Sequence, residues 1–169
     1  MNADELRALQ APLKARYRED PAAARVPVSA VGRLDADGVT CRIESGLGKV
    51  LAGLHPATGG NGAEACSGDM LLEALVACAG VTLRAVATAM SVPLRGGTVR
   101  AEGMFDARGT LGVAKDAPVG LQDVRLHFEL DTDAPPEQVQ RLLQLTERYC
   151  VIYQTLRNPP AIAMSHGSQ

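Results

Sequence analysis

The chain has 169 residues, 46% of them hydrophobic and 21% charged, which is sufficient for one domain with its own core. Aromatic residues make up only 3% and tryptophan is absent, so the stacking platforms of a single-strand nucleic-acid binder cannot be assembled. A formal net charge of −2 supplies no broad positive field for a polyanion.

Residues 4–20 carry Leu6, Leu9 and Leu13 on one helical face, and Pro21 ends that segment. Residues 1–24 therefore read as an N-terminal helical extension to a domain spanning 25–169. The opening MNADELRALQ lacks the basic-then-apolar pattern of a secretory signal, so the cytoplasm is the expected compartment. Val26, Val28 and Ala30 alternate with Pro27 and Ser29 and predict a first strand, followed by a turn signal, LDADGV, at 34–39. Val39, Cys41 and Ile43 alternate with Thr40, Arg42 and Glu44, a half-buried strand, and 49–54 reads as a third.

HPATGGNGAEACSGD, residues 55–69, is a loop in which Ser67 or Asp69 is placed to cap the helix that follows. That helix runs to about Met90. Its longest uncharged stretch, Ala74 to Leu83, is half a bilayer crossing, so it reads as a buried core helix rather than a membrane span. Val99, Ala101, Gly103 and Phe105 form one alternating strand pattern, and Val124, Leu126, Phe128 and Leu130 another. DTDAPPEQ then opens an amphipathic helix whose apolar face continues through Tyr149, Ile152, Tyr153 and Leu156 to Asn158-Pro159-Pro160. A short final strand is expected at 161–164. Blocks of strands separated by helices predict an α+β fold, mainly antiparallel, with the helices packed on sheet faces.

The four cysteines, Cys41, Cys66, Cys78 and Cys150, include no CxxC pair, and the three histidines are scattered, so the spacing does not suggest a zinc site. Cys41 shares the inward side of its strand with Val39 and Ile43 and reads as core. Cys78 sits mid-helix, with Leu71, Ala74, Leu75, Val81, Thr82 and Ala85 around it and no charge among them. Two readings stand: a buried thiol acting as a small apolar side chain, or a nucleophile activated by a cation from elsewhere in the fold. Cys150 lies on or beside the Tyr149–Tyr153 face of the second helix, and only the fold can decide whether the two thiols meet.

Two segments carry a family resemblance. LHPATGG with CSGDMLLEALVACAGVTLRAVA resembles the Gly-Gly loop and central helix of the OsmC/Ohr family, the osmotically inducible and organic hydroperoxide resistance proteins. LTERYCVIYQTL resembles the family's second-cysteine segment. The resemblance covers about residues 25–165. It implies an α+β fold whose mainly antiparallel sheets pack on a long buried central helix, in an intertwined homodimer with two interface sites. It also implies a peroxidatic Cys78 and a resolving Cys150 that form a disulfide, reopened by a dithiol reductant, typically a lipoylated protein. The implied substrate is an organic hydroperoxide, with no metal or flavin needed; composition and charge argue against a nucleic-acid partner, and the short uncharged stretch against a membrane one. The family's peroxidases pair an arginine with an acid near the helix start. Asp69 matches the acid approximately, and Arg42 and Arg33 are the candidates for the arginine. Val151 stands where the family often has proline, the 59–69 loop is long, and the N-terminal helix is additional, so the chain reads as a divergent OsmC-like branch.

Two other functions remain open at the level of sequence. One is a Cys–His hydrolase or acyl transferase built from Cys78 and His55. The other is a non-enzymatic binding protein with an apolar interface pocket. Cys66, just before the central helix, reads either as a second redox thiol or as a plain loop cysteine.

Overall fold

The structure, a computed structural model of one chain, describes residues 1–35, 38–45 and 48–167. Helix α1 (Ala3–Glu19) opens with a reciprocal cap, in which Asn2 Oδ1 accepts from Glu5 N–H and the Glu5 carboxylate accepts from Asn2 N–H. A short 3₁₀ turn, Pro21–Ala24, completes the N-terminal segment.

The residues expected to form a first strand, 26–30, are exposed and unpaired. The strand that forms is β1 (Val31–Leu34), antiparallel to β2 (Cys41–Ser45), which pairs in turn with β3 (Gly48–Gly53). Pro27 has no N–H to give a ladder, which moves the strand past it. Residues 36 and 37 of the expected 34–39 turn lie outside the described residues. A two-residue strand, β4 (Ala65–Cys66), returns parallel to β3 and delivers the chain into helix α2 (Ser67–Ala89). Between them, Gly59 takes a left-handed conformation (φ 96°) to end a 3₁₀ turn. At Gly60 a Cβ would fall 1.7 Å from the Leu54 carbonyl oxygen, so only glycine fits there.

Strands β5 (Gly96–Met104) and β6 (Gln122–Asp131) form a second, two-stranded antiparallel sheet, with the one-turn helix α3 (Ala107–Thr110) in their connection. Val99 and Ala101 on β5 and Leu126, Phe128 and Leu130 on β6 turn inward, as the alternation implies. Helix α4 (Pro136–Tyr149) and helix α5 (Val151–Arg157) follow. The expected single helix is therefore broken at Cys150. The expected strand at 161–164 is not formed, since this stretch finds no ladder partner among the described residues.

The core lies between α2 and α4. Leu75, Ala79, Leu83 and Ala87 recur every four residues on α2 and meet Leu142, Thr146 and Cys150 at the same spacing on α4 and its end. The alanines let the two backbones approach closely. The Thr146 hydroxyl, buried in this seam, donates to the Leu142 carbonyl at 2.9 Å and so costs no unpaired polar group. By length and composition α2 is apolar enough to cross a membrane, a longer apolar helix than the 74–83 stretch alone suggests, yet here it packs against α4, α5 and β5.

Candidate active site

Cys78 lies at the middle of α2, half-buried and one position before the core alanine Ala79. Cys150 is 1% exposed and forms the joint between α4 and α5, with extended backbone angles (φ −74°, ψ 109°). Its N–H still closes α4 on the Thr146 carbonyl at 2.9 Å, but the helix then restarts. A restarted helix has first-turn N–H groups without carbonyl partners. These groups face the two sulfurs. Tyr153 N–H donates to Cys150 Sγ at 3.5 Å, and the backbone N–H groups of Ile152 and Val151 favour the anion of Cys78.

Both thiols are free, and each bears on the other's ionisation. Burial alone pushes the Cys78 thiol up. Ile152 N–H, the Cys150 thiol, Val151 N–H and the Thr82 hydroxyl outweigh it, and the net position is below the ordinary thiol value. Cys150 moves the other way. Burial pushes it up, Tyr153 N–H offsets only part of that, and the neighbouring Cys78 adds to the rise. Cys78 is thus the sulfur inclined toward its thiolate, and Cys150 the one that holds its proton.

The other candidate residues lie apart from this pair. Arg42 is held by Asp35 at 3.0 Å and Arg33 by Glu44 at 3.2 Å, facing each other as cross-strand partners on β1 and β2. Asp69 is exposed in the first turn of α2, and neither it nor Ser67 caps that helix; the N-cap position belongs to Cys66, whose side chain makes no capping bond. Cys66 already pairs with β3 through β4, which fixes the backbone one residue earlier than side-chain chemistry suggested.

His55 does not join Cys78. Its Nδ1 accepts from Ala57 N–H at 3.0 Å, capping the 3₁₀ turn, and its ring meets Phe105 edge-on at 5.1 Å. It shares a cavity of about 210 Å³ with Cys66. Cys41 is half-buried and packs over Gly32, where an added Cβ would come within 2.7 Å of its sulfur. Among the described residues, no three His, Cys, Asp or Glu side chains converge as metal ligands do.

The donors from Val151 and Ile152 were not foreseen, because no glycine or proline marks the break at Cys150. Thr82, one helical turn after Cys78, was visible as a neighbour but not as a hydroxyl donor. Two cavities open beside α2, α4 and α5. One, of about 370 Å³, has leucines of α2 (Leu71, Leu72, Leu75), Val124, Tyr153 and Arg157 in its wall. The other, of about 300 Å³, lies between α4 and β6 and includes Cys150 in its wall.

The family model for OsmC-like proteins matches residues 59–165. Three solved structures are similar in fold. An OsmC-like protein from Mycoplasma pneumoniae shares 16% identity over 79% of this chain and 89% of its own, with a TM-score of 0.66. An organic hydroperoxide resistance protein from Legionella pneumophila shares 16% identity over 79% and 93%, at a TM-score of 0.63. A second organic hydroperoxide resistance protein, from Elizabethkingia anophelis, shares 17% identity over 80% and 91%, also at 0.63. No curated protein matches the chain by sequence.

Proposed function

The chain belongs to the OsmC-like protein family, and from that premise we infer that it is a thiol peroxidase that reduces organic hydroperoxides. The observation that carries this reading is the meeting of two free thiols between α2 and the α4–α5 joint, Cys78 inclined toward its thiolate and Cys150 buried beside it. A hydrolase has no use for that second sulfur, and His55 is engaged elsewhere.

In the reaction, the Cys78 thiolate attacks the terminal oxygen of the hydroperoxide. The O–O bond breaks, the sulfur becomes a sulfenic acid, and the alkoxide leaves and takes a proton from solvent. Cys150 then attacks the sulfenic sulfur. The departing hydroxide takes the Cys150 proton, and a Cys78–Cys150 disulfide and water remain. A dithiol reductant, such as a lipoylated protein, reopens it. The leucine-walled cavity suits the alkyl portion of the substrate, since Leu71 and Leu75 lie two turns and one turn before Cys78 on α2. This cycle suits a reducing compartment such as the cytoplasm.

The active unit of this reading is a homodimer. Among the described residues every buried one lies between 75 and 150, so the described part of the β1–β4 sheet has no core of its own. Val28, Leu34, Ile162 and Met164 are all at least 85% exposed, and two strands alone, as in β5–β6, make a marginal sheet. A second copy would cover these surfaces and bring another β1–β2 hairpin toward Cys78. We assign the cationic contribution to that hairpin, Arg42 ahead of Arg33, with Asp69 as the acid that holds it. A monomer in sedimentation at micromolar concentration would contradict the dimer. Consumption of cumene hydroperoxide in the presence of a dithiol tests the activity. The parent should turn over and Cys78→Ser should not, whereas equal consumption by both would sink the peroxidase reading.

A further inference from the structure

Helix α4 ends without a left-handed glycine, the common device for closing a helix's last carbonyls. Cys150 N–H still reaches the Thr146 carbonyl at 2.9 Å, and Gln154 N–H returns to the Cys150 carbonyl at 3.0 Å. Between those two bonds the ladder is interrupted. In an unbroken helix the Glu147 carbonyl would accept from Val151 N–H, four residues on. Here it accepts from a side chain instead: Gln154 Nε2 donates to it at 2.8 Å in a partly buried bond. The amide's orientation follows from its two neighbours. A carbonyl can only accept, and Asn158 Nδ2 donates to Gln154 Oε1 at 3.4 Å. A second tie over the joint, Arg157 to the Glu147 carboxylate, is exposed and contributes little.

We propose that Gln154 is a positioning residue: its amide takes the place of Val151 N–H at the Glu147 carbonyl, which keeps the α4–α5 joint open and leaves the first N–H groups of α5 beside the two sulfurs. The proposal rests on the peroxidase reading for what the sulfurs do, but not for the bond that holds the joint. The physical cause is competition for one acceptor. A carbonyl partly withdrawn from water is costly to leave unpaired, and Val151 N–H is the donor in helical register with it. Without the Gln154 amide, Cys150 would turn from its extended angles (φ −74°, ψ 109°) to helical ones, and α4 and α5 would run on as one helix. The apolar positions Leu142, Leu143, Ile152 and Tyr153 keep helical spacing across the joint, so the sequence pattern does not itself oppose that change. Val151 N–H would then bond Glu147, and Cys78 would lose a donor that favours its anion.

The test uses the Cys41→Ser, Cys66→Ser chain and the rate of Cys78 alkylation by iodoacetamide against pH, read by peptide mass, which needs no hydroperoxide. Gln154→Met keeps the length and helix propensity of the side chain and removes its donor. Cys78 should react about fivefold more slowly near neutral pH, the effect of losing one hydrogen-bond donor to a half-buried anion. An unshifted profile in the folded variant overturns the proposal. A double variant separates positioning from a merely structural role. Proline at 151 has no N–H to give Glu147 and holds the residue before it extended. Gln154→Met added to Val151→Pro should therefore slow alkylation no further than Val151→Pro alone. Independent effects would multiply to about 25-fold, and that result also overturns the proposal. The unsubstituted chain supplies a measurement that no variant's folding can confuse. By NMR, the side-chain amide protons of Gln154 should exchange with water more slowly than those of the exposed Gln140; equal exchange would remove the bond on which the assignment stands. If cumene hydroperoxide fails to oxidise Cys78 while these results hold, the peroxidase reading falls and the assignment of Gln154 stands.

Discussion

Replacing Val151 by proline removes one hydrogen-bond donor from the Cys78 thiolate and little else. Val151 is the first residue of α5, a position that proline tolerates, and Cys150 before it already has the extended backbone that a following proline demands. The side chain is 67% exposed, so no core contact is lost. Its N–H bonds no backbone carbonyl among the described residues and favours the Cys78 anion. A hydrogen bond to a charged group contributes about 1.5–3 kcal/mol. Val151 contributes less than Ile152 and the Cys150 thiol, and Cys78 is only half-buried, so about 1 kcal/mol is the appropriate size, roughly fivefold in thiolate population. The sign follows from the direction of the shift. Donors that favour the anion extend Cys78 reactivity to lower pH, so losing one moves the profile to higher pH. The assay is the rate of Cys78 alkylation by iodoacetamide against pH, in a background lacking Cys41 and Cys66. Val151→Pro should react about fivefold more slowly near neutral pH and equal the parent in alkaline buffer, where both are fully ionised. An unmoved profile in a folded protein would refute the idea that the restarted helix activates Cys78.

Cys150→Ser should still reduce one hydroperoxide per Cys78 but stall, with sulfenic and then sulfinic acid accumulating on Cys78 by mass; undiminished steady-state turnover with dihydrolipoamide would remove Cys150 from the mechanism. Arg42→Ala should shift the Cys78 alkylation profile to higher pH, and Arg33→Ala should do so less; each arginine is paired with a carboxylate of its own chain, and the proposed dimer is what would bring it to a thiolate. If neither substitution moves the profile, the N–H and hydroxyl donors act without a cation. Cys66→Ser should leave turnover unaffected, since Cys66 lines the His55 cavity, which does not include Cys78; lost turnover in a folded variant would give Cys66 a part in the cycle.

Much of the architecture was legible because burial imposes a period. The alternation in β5 and β6 and the apolar length of α2 both state which side faces inward. The break at Cys150 was not, because the apolar positions Leu142, Leu143, Ile152 and Tyr153 keep helical spacing across it and no proline or glycine interrupts them. That break supplies the site's electrostatics, so the sequence pointed to the two sulfurs but not to the backbone groups beside them. The misplaced first strand and the missing last one share a different cause. Both depend on ladder partners, and local alternation cannot say whether a partner exists within the chain. The capping expectation at Ser67 and Asp69 failed for a related reason, since tertiary pairing of Cys66 with Gly53 set the helix start before any side-chain cap was needed.

Intact-mass measurement of the Cys41→Ser, Cys66→Ser chain after one equivalent of an organic hydroperoxide tests the central claim most directly. With Cys78 and Cys150 as the only thiols, the account predicts the loss of two protons per chain, the alcohol released in equal amount, and a peptide map joining the two cysteines. An unchanged mass, or a lasting gain of one oxygen on Cys78 with Cys150 still free, would contradict it.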